Sequence, residues 1–173
     1  MREQVTTAIL DAAEHVIATH GLEGASTAAI AERAGVAVGT LYNYFPDRHA
    51  LIDTLFKVRR EEMLPRLVEV ARGTARQPWD KRLRAYMAGV FQVFAEQRAF
   101  MRVVVAVDPK NKSPVILTAM MEALVDILKP ACGKRSEDYA WMIVGAMKSL
   151  FHARVEADAP FENDADLLAE TFL

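Results

Sequence analysis

Residues 35 to 45 read GVAVGTLYNYF, and this stretch decides the fold of the N-terminal part of the chain. It follows a short segment with a helical pattern, and Gly35 supplies the flexible point where one helix stops and another begins at a steep angle. Beyond the glycine, Val36, Leu41 and Phe45 recur at spacings of five and four, close to one helical face. The sequence therefore predicts two short helices that meet at a glycine turn.

The side chains that point away from this apolar face are small, hydroxyl-bearing, amide-bearing or aromatic. They are Val38, Gly39, Thr40, Tyr42, Asn43 and Tyr44. An exposed face of this kind on a second short helix is typical of a recognition helix in a DNA groove. Ser26 precedes the first of the two helices, where its hydroxyl is placed to act as the N-cap.

Composition bounds the class of protein. The chain has 173 residues, of which 52% are hydrophobic and 25% charged, and this indicates a folded protein. The net charge of -2 does not by itself indicate a polyanion-binding protein. Cys132 is the single cysteine, which excludes an internal disulfide and fits a reducing compartment. The N-terminus lacks the apolar core of a secretory signal, and no apolar run is long enough to span a membrane. We therefore expect a cytoplasmic protein without a membrane segment.

Helical periodicity dominates the whole chain, so the expected fold class is all-α. A fourth helix is expected to begin near Arg48, and Pro65 inside it is expected to kink it or to end it near Leu64. The segment from Gly73 to Pro78 has the composition of a linker. Later helices are expected from Pro78, over about Arg98 to Val107, from Pro114 to about Lys129, from Ser136 to about Ala157, and over Asp164 to Phe172, with a loop at residues 108–114.

Residues 5 to 56 resemble the N-terminal domain of the TetR-type (tetracycline-repressor-like) one-component transcription regulators. The resemblance rests on an alanine-rich first helix, a glycine turn and a composite motif. The motif reads Ile30-Ala31-x-x-Ala34-Gly35-Val36, then Gly39-Thr40-Leu41-Tyr42-x-Tyr44-Phe45, with Arg48 and Leu51 after it. The resemblance implies an N-terminal three-helix helix-turn-helix domain, followed by a larger α-helical domain that binds a small effector and dimerises. Residues 75 to 173 match only in helix pattern and size.

This resemblance implies a division of the chain by function. Residues 1–47 form the helix-turn-helix DNA-binding domain, residues 48–74 the connecting helix and linker, and residues 75–173 the effector-binding and dimerisation domain. The implied protein is a homodimeric repressor that leaves a pseudo-palindromic, double-stranded DNA operator when a small, mostly apolar effector binds. The alternative is a protein-interaction adaptor of the same fold, with weak or lost DNA binding.

The resemblance also implies roles for individual DNA-binding residues. Ser26 and Thr27 open the second helix, where free backbone N–H groups and a hydroxyl hold a phosphate. Tyr42 and Tyr44 resemble aromatic residues that grip phosphates in the family. Arg48 stands where the family usually has lysine, and it adds a bidentate donor fork. Thr40 lies where base or phosphate contact is expected, while Val38, Gly39 and Asn43 occupy variable positions that set base preference.

Two features depart from the family. Ala37 sits where a serine usually caps the recognition helix, and the loss of that cap costs about 0.5–2 kcal/mol. Residues 1 to 60 hold six Lys and Arg against seven Asp and Glu, a net charge of -1. This balance falls short of the basic surface that DNA-binding domains usually carry. We therefore expect few ionic phosphate contacts, and the adaptor alternative stays open.

The second half is rich in large, adaptable side chains, and methionine fits irregular cavities. The candidate effector-binding residues are Met87, Phe91, Phe94, Met101, Met120, Met121, Trp141 and Met142. The alternative interpretation is that most of them are ordinary core residues of a helical bundle. Polar side chains available to orient an effector are Tyr86, Gln92, Arg102, Tyr139 and His152. The last two helices are the expected dimer surface, with a small-residue stripe at Gly145, Ala146, Ser149 and Ala153.

The enzyme and metal alternatives find no support in the sequence. The four histidines lack the spacing of zinc ligands, and no glycine-rich phosphate loop occurs. Cys132 has no nucleophile signature around it. We therefore expect no catalytic residue, no metal ion and no cofactor.

Overall fold

The computed structural model describes residues 2–107, 114–161 and 163–172. Over these residues the protein is helical and contains no strand, as the periodicity predicts. The helices are α1 (Arg2–Gly24), α2 (Thr27–Ala34), α3 (Val38–Tyr44), α4 (Arg48–Gly73), α5 (Trp79–Glu96), α6 (Arg98–Val107), α7 (Pro114–Cys132), α8 (Ser136–Glu156) and α9 (Asp164–Phe172), with a 3₁₀ turn at Gly133–Arg135 between α7 and α8. The loop predicted over residues 108–114 lies outside the described residues, except for Pro114, which begins α7.

The chain forms two compact units. The first consists of Met1–Glu61 with Ala99–Asn111, and the second of Glu62–Arg98 with Lys112–Leu173. Both α4 and α6 therefore contribute to each unit. The boundaries predicted at residues 47 and 74 separate DNA binding from effector binding and dimerisation, and they stay predictions.

The first unit is built around a small apolar core. Helix α1 packs on α2, and α2 packs on α3. The side chains that close this core are almost fully buried, and burial of each large one contributes about 1.5–3 kcal/mol. They are Ile9, Ala13, Ile17, Ile30, Ala31, Leu41, Leu51 and Leu55. The apolar face predicted for the second short helix is therefore the face that α3 buries.

Local chemistry sets the turn between α2 and α3. The Ser26 hydroxyl caps α2 by accepting a hydrogen bond from Ala29 N at 3.1 Å. Gly35 ends the helix in the left-handed region (φ 68°, ψ 29°), which a residue with a Cβ adopts only under strain. The Gly35 N–H donates to the Glu32 carbonyl at 3.1 Å, and the Val36 N–H donates to the Ala31 carbonyl at 3.0 Å. These two bonds are the C-terminal motif that turns a chain out of a helix.

Proline positions correct two of the helix predictions. Helix α4 continues through Pro65 to Gly73, so of the two outcomes predicted for Pro65, a kink or an end near Leu64, the second is wrong. Proline removes one intrahelical hydrogen bond, but Pro65 is exposed, so water can satisfy the carbonyl that loses its donor. Burial of Met63 and Leu67 on the opposite side favours the helix here. Helix α7 likewise runs past its predicted end and includes Pro130 in its last turn.

Aromatic side chains fill much of the second unit. Helix α5 packs on α7 and α9, and α8 packs on α7 and α9. The Phe91 and Phe161 rings stack with centroids 5.9 Å apart, and the Phe151 and Phe161 rings stack at 6.0 Å. Phe94 meets Phe151 edge-on at 5.4 Å. This cluster joins α5, α8 and the segment that leads into α9, and such ring pairs add about 0.5–1.5 kcal/mol each beyond their buried area.

Two further contacts fix the helices of the second unit. A Cβ built on Gly89 would lie only 2.5 Å from Cγ1 of Val70, so α5 can approach α4 here because residue 89 has no side chain. Arg154 of α8 holds both carboxylate oxygens of Asp164, the first residue of α9, with Nη2 2.6 Å from Oδ1. Asp164 is only 1% exposed. The hydrogen bond and the charge of Asp164 raise the pKa of Arg154, so the guanidinium stays charged.

Candidate nucleic-acid interface and effector domain

Helix α3 presents the side chains that the sequence predicts for its outer face. Val38 is 40% exposed and Tyr42 is 48% exposed, while Leu41 on the opposite side is fully buried. Gly39 and Asn43 are also exposed, and Thr40 and Tyr44 are half-buried. A seven-residue helix that buries one leucine and leaves this polar and aromatic face outside can lie against the edges of base pairs.

The N-terminus of α2 lies beside this face. The Tyr42 hydroxyl is 3.3 Å from Oγ1 of Thr27, so α3 and the first residue of α2 are joined by a pair of hydroxyls. Ser26 is exposed, and its own hydroxyl is engaged in the cap. The first backbone N–H groups of a helix have no acceptor inside it, and they favour an anion. Ser26, Thr27 and Tyr42 therefore form a polar patch with the chemistry of a phosphate site.

Arg48 lies at the start of α4, and its guanidinium is only partly exposed to solvent. Its Nε and Nη2 atoms are buried, and they have no hydrogen-bond partner in the part of the chain that the structure describes. The preceding residue, Asp47, caps α4 by accepting from Ala50 N at 2.8 Å. A phosphate contact of Arg48 through Nε or Nη2 would therefore require a different side-chain rotamer.

Ion pairs engage one arginine and two carboxylates of the first unit. Arg59 of α4 binds the carboxylates of Asp11 and Glu14, both on α1. These two carboxylates share Arg59 as their ion-pair partner, and the pairs hold α1 to α4. On the side of the recognition helix, residues 34–47 contain no Lys or Arg.

Arg2 belongs to this face, and the sequence did not single it out. Its guanidinium carbon lies 5.8 Å from the centroid of the Tyr44 ring, within the range of a cation–π contact. No local pattern signals this contact, because residues 2 and 44 come together only when α1 and α3 fold against α2.

The predicted effector-binding residues fall into three groups in the structure. Met87, Phe91 and Phe94 of α5 and Met120 of α7 are buried in the second unit, with Met121 half-buried. Met101 is buried in α6, within the first unit. Trp141 and Met142 are 53% and 57% exposed on α8, so neither is enclosed by its own chain. The buried stripe of α8 instead uses Ala140, Ile143, Val144, Met147 and Phe151, which recur at helical spacing.

An open groove of about 400 Å³ lies between α5 and the start of α9 in the second unit. Phe91 and Phe161 supply aromatic surface to it, and Gln92 and Arg98 supply polar groups. Of the predicted effector-binding residues, Phe91 is the one that lines this groove. The volume falls in the range of small-molecule sites.

Tyr86 is a buried polar side chain of α5. Burial raises the pKa of its hydroxyl well above the ordinary value, because desolvation disfavours the phenolate. The hydroxyl is therefore a neutral donor over the physiological pH range. Tyr139 and His152 are half-buried, and Gln92 is exposed at the groove.

The exposed side of α8 combines large apolar and small residues. Gly145, Ser149 and Ala153 are exposed on the same helix as Trp141 and Met142, and Leu167 of α9 is also half exposed. Small residues allow a partner helix to approach closely, while an exposed tryptophan and methionine supply apolar area. Among the described residues, no cluster of His, Cys, Asp or Glu is placed to hold a metal ion, and no helix is both long and apolar enough to cross a bilayer.

Comparison with known proteins agrees with this arrangement. Residues 9–55 match the family model "Bacterial regulatory proteins, tetR family". The fatty acid metabolism regulator protein of Bacillus subtilis is 39% identical over 61 residues, which are 35% of this chain and 31% of that protein. The transcriptional repressor KstR of Mycolicibacterium smegmatis is 50% identical over 48 residues, 27% of this chain and 24% of that protein. The crystal structure of FadR from Bacillus subtilis in complex with stearoyl-CoA superposes with a TM-score of 0.74 at 22% identity, covering 96% of both chains.

The first unit therefore has a helix-turn-helix arrangement, formed by α2 and α3. Residues 9–55 therefore match the tetR family of bacterial regulatory proteins, and the whole chain shares its fold with the solved structure named above. The chain matches these two curated relatives over only 31% and 24% of their own length.

Proposed function

We propose that this protein is a one-component DNA-binding transcription regulator, and that it represses by occupying a pseudo-palindromic operator as a homodimer. The observation that carries the proposal is the exposed face of α3. Val38 and Tyr42 point outward from a helix anchored by buried Leu41, and Thr27 at the N-terminus of α2 lies within 3.3 Å of Tyr42. The two curated relatives are named as a fatty acid metabolism regulator protein and a transcriptional repressor, which supports a regulator over an enzyme.

In this proposal α3 lies in the major groove. Val38 makes apolar contact, for instance with a thymine methyl group, and Asn43 pairs with adenine through its amide. Thr27, Thr40 and the two tyrosines of α3 hold the backbone and fix the register of the helix. Because hydroxyls and helix N-termini carry much of this contact, few lysines and arginines are needed at the face.

Dimerisation is proposed to use the exposed sides of α8 and α9. Trp141 and Met142 then become buried between two copies of the chain instead of lining an effector site within one copy. Gly145 and Ser149 let the paired helices approach closely. A two-fold dimer presents two recognition helices, which matches an operator with half-sites spaced by whole turns of DNA.

The effector is proposed to be a small, mostly apolar molecule that binds in the second unit. The buried methionine and aromatic residues of α5 and α7 provide adaptable apolar surface, and the neutral hydroxyl of Tyr86 supplies a donor among them. Such a ligand relieves repression only through a difference in its affinity for the DNA-bound and the free conformation. The structure of FadR from Bacillus subtilis with stearoyl-CoA makes a long-chain acyl-CoA a reasonable first probe.

Fluorescence anisotropy with duplex DNA from the region upstream of the protein's own gene tests the proposal. We expect selective binding relative to a scrambled duplex, with affinity that falls as salt rises. Absence of selective, salt-dependent binding would favour the adaptor of the same fold. Addition of stearoyl-CoA, with free coenzyme A as control, tests the effector. If an apolar compound panel neither releases DNA nor shifts the melting temperature, the effector part of the proposal is wrong.

A further inference from the structure

Arg2 and Tyr44 form a contact at the edge of the α3 face. The guanidinium carbon of Arg2 lies 5.8 Å from the centre of the Tyr44 ring. Arg2 is exposed, and Tyr44 is half-buried. A guanidinium stacked on a ring keeps its N–H groups around its edge, so it can still donate to a phosphate. The contact therefore restricts the position of the guanidinium, and it leaves the N–H groups free to donate hydrogen bonds.

The backbone of Arg2 is held by regular structure. Arg2 is the first residue of α1, and its carbonyl accepts a hydrogen bond from Oγ1 of Thr6 at 3.1 Å. Helix α1 packs on α2, which packs on α3. The position of the side chain relative to Tyr44 is thus set by the helical core of the first unit.

Few cations flank α3 in the sequence: Arg33 lies in the last turn of α2, and Arg48 begins α4. No Lys or Arg occurs between residues 34 and 47. Arg59 is bound by Asp11 and Glu14, and two of the three guanidinium nitrogens of Arg48 are buried. Arg2 brings an exposed cation to this face, at the ring of a residue that the proposed function places on the DNA backbone.

We infer that Arg2 binds a backbone phosphate of the operator beside the recognition helix, and that Tyr44 positions its guanidinium for this contact. The inference rests on the proposed DNA-binding function and adds a residue to it. The contact is electrostatic and carries no base information, since a phosphate is present at every step of the duplex.

The test measures the salt dependence of DNA binding for Arg2→Ala, with Arg76→Ala as the matched control. Arg76 is an exposed arginine in the turn between α4 and α5, outside the first unit. One lost phosphate contact reduces the slope of log affinity against log salt by about one unit. The ratio of wild-type to Arg2→Ala affinity should therefore shrink by about 3.5-fold between roughly 50 and 200 mM salt. Arg76→Ala should leave the slope unchanged, and the preference for operator over scrambled DNA should stay as in the wild type.

Variants at Tyr44 test the positioning. Tyr44→Phe keeps the ring, so Arg2→Ala should lower affinity in that background as it does in the wild type. Tyr44→Leu removes the ring, so the additional effect of Arg2→Ala should be smaller there. Arg2→Lys keeps the charge, and it should restore most of the salt slope but less of the affinity. Equal effects of Arg2→Ala in the Phe and Leu backgrounds would overturn the role of Tyr44.

The outcomes separate this inference from the proposed function. If the wild-type protein binds no DNA selectively, the proposed function fails. If the wild type binds but Arg2→Ala keeps the wild-type salt slope and affinity, the function stands and the inference about Arg2 is overturned. Circular dichroism melts of each variant identify any loss of affinity that comes from unfolding.

Discussion

The Tyr42 hydroxyl lies 3.3 Å from Oγ1 of Thr27, so the middle of α3 and the start of α2 meet through two hydroxyls. This distance is longer than that of an ordinary O–H···O hydrogen bond, which is about 2.7–2.8 Å. A phosphate oxygen placed between the two groups could accept from both at shorter range. The pair is therefore suited to exchange a weak mutual bond for two charge-assisted bonds.

Removal of either hydroxyl should weaken operator binding with little effect on folding. We expect Tyr42→Phe and Thr27→Val each to lower affinity by about tenfold, since a hydrogen bond to a charged group contributes about 1.5–3 kcal/mol. The double variant should lose less than the sum of the two, because both groups serve one phosphate. Anisotropy titrations and thermal melts measure these effects. Additive losses would show that the two hydroxyls act on separate groups.

Arg48→Ala separates binding from stability. The substitution removes two buried donors that have no partner among the described residues, so the melting temperature should stay the same or rise. Operator affinity should fall by a similar factor for every sequence, with a salt slope smaller by about one unit. Val38→Gln is the contrasting variant, because it should change which site is preferred while leaving the fold intact. A change of base preference in Arg48→Ala alone would contradict the phosphate assignment.

The buried hydroxyl of Tyr86 should make stability depend on alkaline pH. Burial raises the pKa of Tyr86 in the folded protein above its unfolded value of about 10. The contribution of Tyr86 to the free energy of unfolding is therefore fully present below about pH 10. It is lost as the pH rises further, since the unfolded chain releases a proton that the folded chain keeps. The expected loss is about 1.4 kcal/mol per pH unit. Urea unfolding of the wild type and Tyr86→Phe between about pH 9 and 11.5 measures this; equal pH slopes in the two proteins would contradict it.

Trp141 should report dimerisation. If α8 pairs with its copy, Trp141→Glu should raise the dimer dissociation constant by at least about thirtyfold, because a buried interface tryptophan contributes about 2 kcal/mol or more. Sedimentation equilibrium measures the change. Trp79→Phe is the control, since Trp79 opens α5 and should leave the mass unchanged. In the Trp79→Phe background, the emission of Trp141 should shift to the blue as protein concentration rises. A dimer unaffected by Trp141→Glu and by Met142→Glu would exclude this surface.

Local chemistry made much of the first unit predictable from sequence. Ser26 and Gly35 act within one turn of chain, so their capping roles follow from residue type. The spacing of Leu41 and Phe45 likewise shows which side of α3 is buried. The contact of Arg2 with Tyr44 could not be predicted from the sequence, because it depends on how three helices pack.

Other features required knowledge of packing. Pro65 stays inside α4 because burial of the residues around it outweighs one lost hydrogen bond. Trp141 and Met142 are large and apolar by composition, but only the three-dimensional packing of α8 shows that they face outward. The sequence analysis assigns these two residues to the effector site, because residue type alone does not show which side of α8 they occupy.

The close approach of α5 to α4 at Gly89 has a consequence for how this sequence can change over evolution. A methyl group at position 89 would overlap Val70, so position 89 cannot gain a side chain while position 70 keeps its valine in this place. Descendants that acquire alanine at position 89 should be found with a smaller residue at position 70. In an alignment of orthologues, positions 70 and 89 should therefore covary. Substitution of Val70 by a smaller residue should precede substitution of Gly89 by a larger one.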